Sequence, residues 1–282
     1  MTATVLVQSC LADICSRLRQ EQAQFTKFQT NAVMADSVYN PPGQRVAPPG
    51  YSEVTDPKEL AKLGLLPGNL TPQDSEFRAA VFKNVDGSYV VAFRGSTSAI
   101  IDWINNIQQA VGIHSDYYSR AQAIATRLAT TPGVKVSYTG HSLGGGLASA
   151  AAKASGSDAV TFNAAGLAED TVPDPKTGGH IDAVYVRGEL VSAIQRGPLP
   201  KAAASESWPL DPPSGVGAAI RRLLVEAGGG LVGSLSGPIG TIAAAMVARG
   251  AYLHKMSNVT QSLADRQHEI VQMAVDNGCG GG

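Results

Sequence analysis

The sequence predicts an α/β fold, a mostly parallel β-sheet covered by helices on both faces. Three observations carry that expectation. From residue 78 onward, β-branched apolar runs alternate with helical patterns, the order expected of parallel strands joined by crossover helices. Residues 137–155, SYTGHSLGGGLASAAAKAS, change from strand-like to helix-like around a single serine, Ser142. The 282 residues are 44 % hydrophobic and 16 % charged, a globular composition with enough chain to bury a large core. The expected organisation is one domain over 1–282, with a helical extension at 1–50 and a lid-like or membrane-contacting insertion at 195–250.

The elements follow in order. Leu6, Cys10, Ile14, Leu18, Phe25, Phe28, Val33 and Val38 recur at helical spacing, so the chain begins as helix. Four prolines in NPPGQRVAPPG (40–50) make a loop. Residues 55–64 read as a short helix, capped by Thr55 or Asp56, with Pro57 in its first turn and Gly64 at its end. FRAAVFK and SYVVAFRG flank the turn-rich NVDG and form a hairpin. Residues 96–115 begin polar and continue as an apolar helix. A second helix runs from 115 to about 130, with Ala121, Ile124, Ala125 and Leu128 on one face. PGVKVSY returns as strand, 143–156 as helix, and DAVTFNAAG and IDAVYVRGE as two further strands. Residues 195–250, rich in Pro, Gly and Ala, do not continue the alternation. A final helix over 257–275 places Val259, Leu263, Ile270, Val271 and Ala274 on one side.

Several function classes are disfavoured. A net charge of -1 supplies no field to gather nucleic acid or anionic membrane. Cys10, Cys15 and Cys279 fit no metal spacing, and their odd number argues against a disulfide framework. The N-terminal residues lack a basic region and an apolar stretch long enough for a classical signal peptide, so export would use another route. Residues 227–248 carry no charge and are long enough to span a bilayer. Their six glycines and Pro238 make a poor autonomous helix, so a buried or lid-forming insertion is expected instead.

The chemistry centres on Gly140-His141-Ser142-Leu143-Gly144, a Gly-x-Ser-x-Gly placed between a strand and a helix. Such a turn strains the serine backbone and lifts its hydroxyl clear of the sheet. A Cβ at either flanking glycine would collide with the neighbouring strand or helix. The amide of Leu143, at the helix start, points to where an oxyanion would form. A phosphate loop is excluded: no Gly-Lys-Ser/Thr ends it and no Gly-x-Gly-x-x-Gly opens the helix.

VAFRGSTSAIIDWINN followed by VSYTGHSLGGGLASAAA resembles the class 3 lipases, fungal-type α/β-hydrolases. FNAAGL after the serine is similar to bacterial phospholipase A1-like relatives, some of them toxins delivered by secretion machines. The resemblance covers about 77–190, with an echo near His254. On the residues alone Ser96 reads equally as a cap for the following helix; the resemblance implies that the residue after FRG, here Ser96, supplies a second oxyanion donor. It places a lid hinge near Asp102–Trp103.

The base must follow the acid in chain order. His141 adjoins the serine with its side chain expected to point away from the hydroxyl. His114 precedes the motif, His180 precedes the strand that should carry the acid, and His268 falls on the polar side of the last helix. His254 remains, in YLHKMSNV, read as a loop before that helix and similar to a His-x-Met segment of the bacterial relatives. For the acid, the resemblance implies an Asp in an Asp-x-Val run, and this chain departs from it: YVRGELVSA offers Glu189, with Asp182 and Asp211 as alternatives. A glutamate can also orient an imidazole through a buried carboxylate. The resemblance further implies acyl-ester cleavage of membrane phospholipid, with a membrane surface, an immunity protein and a secretion apparatus as partners; a triacylglycerol lipase, carboxylesterase or transacylase of the same fold, or a non-catalytic lipid-binding hydrolase, are the alternatives. It implies no cofactor and no metal, and export from the producer's cytoplasm to a target-cell membrane or periplasm.

Overall fold

A computed structural model describes residues 3–97, 111–197, 200–218 and 238–279. Seven strands lie in one sheet in chain order: β1 (Tyr51–Glu53), β2 (Ala79–Asn84), β3 (Tyr89–Phe93), β4 (Val136–His141), β5 (Ala159–Phe162), β6 (Ile181–Val186) and β7 (Glu206–Leu210). β1, β2 and β3 pair antiparallel, whereas β3 to β7 pair parallel. The register sets Phe93 beside Gly140, His141 beside Phe162, and Val186 beside Leu210. The carboxyl ends of the parallel strands therefore share one edge, where ligand sites of open α/β sheets form.

The helices are α1 (Ala3–Ser37), α2 (Pro57–Lys62), α3 (Pro67–Leu70), α4 (Val111–Thr130), α5 (Leu143–Ser155), α6 (Leu190–Ile194), α7 (Pro238–His254) and α8 (Met256–Asp276). Asp56 caps α2 by accepting the Lys58 amide, with Pro57 preset for the first turn. One sheet face packs Val91 and Phe93 with Ile124 and Leu128 of α4 and Leu147 of α5. The other packs Phe162, Val184 and Val186 with Phe25 and Phe28 of α1, Leu253 of α7, and Val259 and Leu263 of α8. In β3 the alternate residues Val90 and Ala92 turn to Met34 of α1 and to Val38 just beyond it. Burial on both faces explains why these strands read as continuous apolar runs rather than alternating ones. Each large apolar side chain buried this way contributes about 1.5–3 kcal/mol. On α1, Val33 is only half-buried and the inward stripe passes through Ala32, Met34 and Ala35 instead. On α8, Val271 is exposed.

Three expectations need correction. The 195–250 segment does continue the sheet, because Glu206–Leu210 pairs parallel with β6 as β7. This strand was hidden by its exposed residues and by Pro209, tolerable at a sheet edge. Second, α7 runs to His254, so that residue ends a helix rather than lying in a loop. Third, Cys15 and Cys279 form a disulfide across 264 positions, between α1 and the residues just after α8. No short-range spacing announces a pair that distant; the packing of α1 on α8 brings it together. The helix expected after Gly95, with Asp102–Trp103, lies outside the described residues, as do 227–237. No described helix is long and apolar enough to cross a membrane.

A cross-link closing so long a loop restricts the unfolded chain, worth roughly 2–4 kcal/mol. Dithiothreitol should therefore lower Tm by several degrees in the wild type and leave Cys279→Ser unchanged. Equal Tm values for oxidised and reduced wild type would contradict a stabilising bridge.

Candidate active site

β4 ends at His141 and α5 starts at Leu143, so Ser142 alone makes the turn, at φ 58° and ψ -126°. A non-glycine residue held there costs about 1–3 kcal/mol, and surrounding bonds must hold it. The Ser142 amide donates to the Phe162 carbonyl at 3.0 Å, and its carbonyl accepts from the amides of Gly145 and Ala165. Its close neighbours must be small. A Cβ on Gly140 would lie 2.2 Å from the Gly144 carbonyl oxygen, and one on Gly144 would lie 2.1 Å from that of Phe93. Gly95 packs on the other side: a Cβ there would lie 2.6 Å from the His141 carbonyl oxygen and 3.4 Å from Ser142 Cβ. The end of β3 thus lies against the serine, with half-buried Ser96 next in the chain. Leu143, first in α5, has an amide that no residue of its helix can accept. Gly144→Ala should destabilise by about 3 kcal/mol or more, since it meets backbone that cannot give way; an unchanged urea midpoint would contradict this packing.

Glu189 is fully buried beyond the end of β6, where Gly188 at φ 81° turns the chain. Its carboxylate caps α6: Oε2 accepts the Val191 amide at 2.8 Å and Oε1 the Ser192 amide. Oε2 also meets His254 Nδ1 at 2.7 Å. The carboxylate already accepts from two amides, so the imidazole carries its proton on Nδ1 and leaves a lone pair on Nε2. That Nε2 is buried and has no hydrogen-bond partner among the described residues, so no bond joins it to Ser142 Oγ here. α7 delivers this histidine by approaching α6 closely at Gly250, where a Cβ would lie 3.2 Å from Leu190.

The backbone carbonyl of His254 is also held. It accepts from His141 Nε2 at 2.7 Å and from Asn163 Nδ2 at 3.1 Å. Asn163, at a positive φ of 42°, uses its Oδ1 to accept the Val186 amide at 3.0 Å, so it joins β5, β6 and the end of α7. Neither Asn163 nor this use of His141 is visible in the motif. The FNAAG run was the one signal, a polar residue inside an apolar strand end.

Burial, and secondarily the neighbouring His254, pushes His141 down to about 3 from the ordinary histidine value of 6.5. The unfolded chain binds more protons between those values, so stability present above pH 6.5 is lost as pH falls toward 3. Tm should fall across that window, and His141→Gln, lacking a titrating ring, should fall less. Equal acid losses in both proteins would contradict the assignment.

The other carboxylates lie elsewhere. Asp182, buried in β6, accepts from Lys27 Nζ at 2.9 Å and Trp208 Nε1 at 2.8 Å, fastening α1 to β6 and β7. Burial alone would raise it, but these donors hold it below the usual carboxylate value. Asp211 is exposed and pairs with Arg187. His180 stands outside the start of β6 and His268 is exposed on α8. His180, Asp182 and Glu206 gather within 4.8 Å of one another, yet the Lys27 ammonium already supplies the cation there.

A parallel sheet with a serine on a strand–helix turn and a histidine–carboxylate pair at the same edge is an α/β-hydrolase arrangement. Residues 30–209 match the phospholipase-like family described as Tle-like phospholipase domain, and the chain belongs to that family. It is 40 % identical over 141 residues to the extracellular phospholipase A1 of Serratia liquefaciens, covering 50 % of this chain and 43 % of that protein. The chain therefore spans less than half of that relative's length. Among solved structures it is similar to a triacylglycerol lipase from Penicillium expansum, at 14 % identity and TM-score 0.41 over 68 % of this chain and 80 % of that one. A fungal lipase–inhibitor complex is similar at 18 % identity and TM-score 0.42, over 67 % and 80 %.

Proposed function

We propose that the protein is a serine ester hydrolase that cleaves acyl esters of phospholipid. The observation that carries this is the buried His254–Glu189 pair, whose Nε2 has no partner among the described residues, beside a serine held in a strained turn. In the proposed reaction His254 Nε2 removes the Ser142 hydroxyl proton as Oγ attacks the acyl carbonyl. Their hydrogen bond forms as substrate seats. The amides of Leu143 and Ser96 receive the oxyanion, each worth about 3 kcal/mol in the transition state. The alcohol leaves with the proton from His254, and water then repeats the cycle on the acyl-enzyme. Glu189 holds the imidazole in its Nδ1–H form and stabilises its transient charge.

Phospholipid as substrate is supported by the family and by the Serratia relative. Contact with a membrane surface is supported by Met246, 69 % exposed on α7, with Val247 beside it. A role as a secreted effector, exported through a dedicated secretion system and neutralised at home by an immunity protein, extends the same reading. Arg221 and Arg222, expected near lipid headgroups, lie outside the described residues.

Acyl release from defined phospholipid vesicles tests the assignment. Ser142→Ala and His254→Ala should lose at least about 10³-fold in rate, with Asp211→Ala close to wild type. Glu189→Gln should lose about 10²- to 10⁴-fold, because the amide can favour the wrong tautomer. Retained activity in Ser142→Ala overturns the mechanism.

A further inference from the structure

The residue before the serine is free in the Gly-x-Ser-x-Gly pattern, yet here it is a buried histidine with both ring nitrogens engaged. Nε2 reaches the His254 carbonyl at 2.7 Å, and the two imidazoles lie 4.8 Å apart between centroids. Nδ1 faces the Tyr39 hydroxyl at 3.4 Å. That hydroxyl accepts the Gly95 amide at 3.1 Å. A carbonyl can only accept, so Nε2 of His141 bears the proton and Nδ1 accepts from Tyr39. The bonds run in one direction: Gly95 N–H to Tyr39 O–H to His141 Nδ1, then His141 Nε2–H to the His254 carbonyl.

We propose that Tyr39 and His141 are positioning residues that hold the base and the oxyanion strand in one frame behind the nucleophile. This rests on the serine-hydrolase reading. Gly95 immediately precedes Ser96, whose amide is the second oxyanion donor, and it comes from β3. His254 comes from the end of α7, and nothing in the strand pairing relates the two. The Tyr39–His141 line spans that gap and passes directly beside Ser142. The neutral ring is what serves both neighbours at once, and its buried site keeps it neutral. Glu189 sets the rotation of the His254 ring, whereas His141 sets where its backbone stands. Tyr39 lies just beyond α1, which gives the N-terminal helix a part in the site that the elbow motif does not reveal.

The test uses the full-length oxidised protein and a soluble short-chain p-nitrophenyl ester, so that lipid adsorption does not enter. Displacing a catalytic group by about 1 Å costs about 10²-fold, so His141→Leu should lose kcat on that scale with KM nearly unchanged. His141→Gln, whose side-chain amide can still donate to the His254 carbonyl, should recover most of kcat at a Tm no higher than that of His141→Leu. Tyr39→Phe should lose about tenfold, and Tyr39→Phe/His141→Leu no more than His141→Leu alone, because the two act in one line. Wild-type kcat in folded His141→Leu overturns the proposal, as does a Gln variant no better than Leu at equal Tm. Should His141→Leu fail to fold, Tyr39→Phe decides, and unchanged kcat there overturns it. These results are separable from the mechanism itself, which fails only if Ser142→Ala stays active.

Discussion

At Ser142 the chain passes from strand to helix within one residue, in a left-handed conformation that a serine adopts only under constraint. The constraint comes from below and from both sides. β5 accepts its amide through Phe162, while Gly140 and Gly144 let β4, β3 and α5 come within distances that no Cβ would permit. The same crowding brings the end of β3 against the serine. The proposed nucleophile and the amides proposed to receive the oxyanion therefore depend on one backbone turn. If that turn relaxed, the strands around it would have to separate.

The rest of the site is assembled from groups that burial makes obligatory. A carboxylate with no exposure must find donors, and Glu189 finds three: two amides of α6 and the Nδ1–H of His254. It therefore caps a helix and orients an imidazole at once. The capping explains how a glutamate fills a place where the family pattern has an aspartate: its backbone stands back at the helix start. The His254 carbonyl, at a helix end and so without an intrahelical donor, is met by His141 and Asn163. Each bond closes a buried polar deficit, and together they bring an element from the far end of the chain to the serine.

How much of this could be read from residues follows from the range of the interactions. The parallel sheet, the hairpin, α4, α5 and α8 were legible because each depends on periodicity within a short window. The turn at Ser142 was legible because its glycines are adjacent in sequence. Glu189 and His254 were reached through chain order and family pattern, and the structure brings those two together while Asp182 and Asp211 lie apart. What escaped was long-range or weakly apolar. Cys15 and Cys279 meet only through the α1–α8 packing, β7 is mostly exposed, and Tyr39 meets His141 across more than a hundred positions. The glycine-rich segment before His254 reads as a loop, yet α7 carries this histidine as its last residue.

The central claim is that Ser142 is the nucleophile activated by the His254–Glu189 pair. The most direct measurement is to treat the active protein with a reactive alkyl phosphonate and locate the adduct by peptide mass spectrometry. The account predicts one adduct per chain, on the peptide bearing Ser142, with ester hydrolysis lost in step with labelling and labelling nearly abolished in His254→Ala. Stoichiometric labelling at another residue, or full hydrolysis by protein labelled at Ser142, would contradict it.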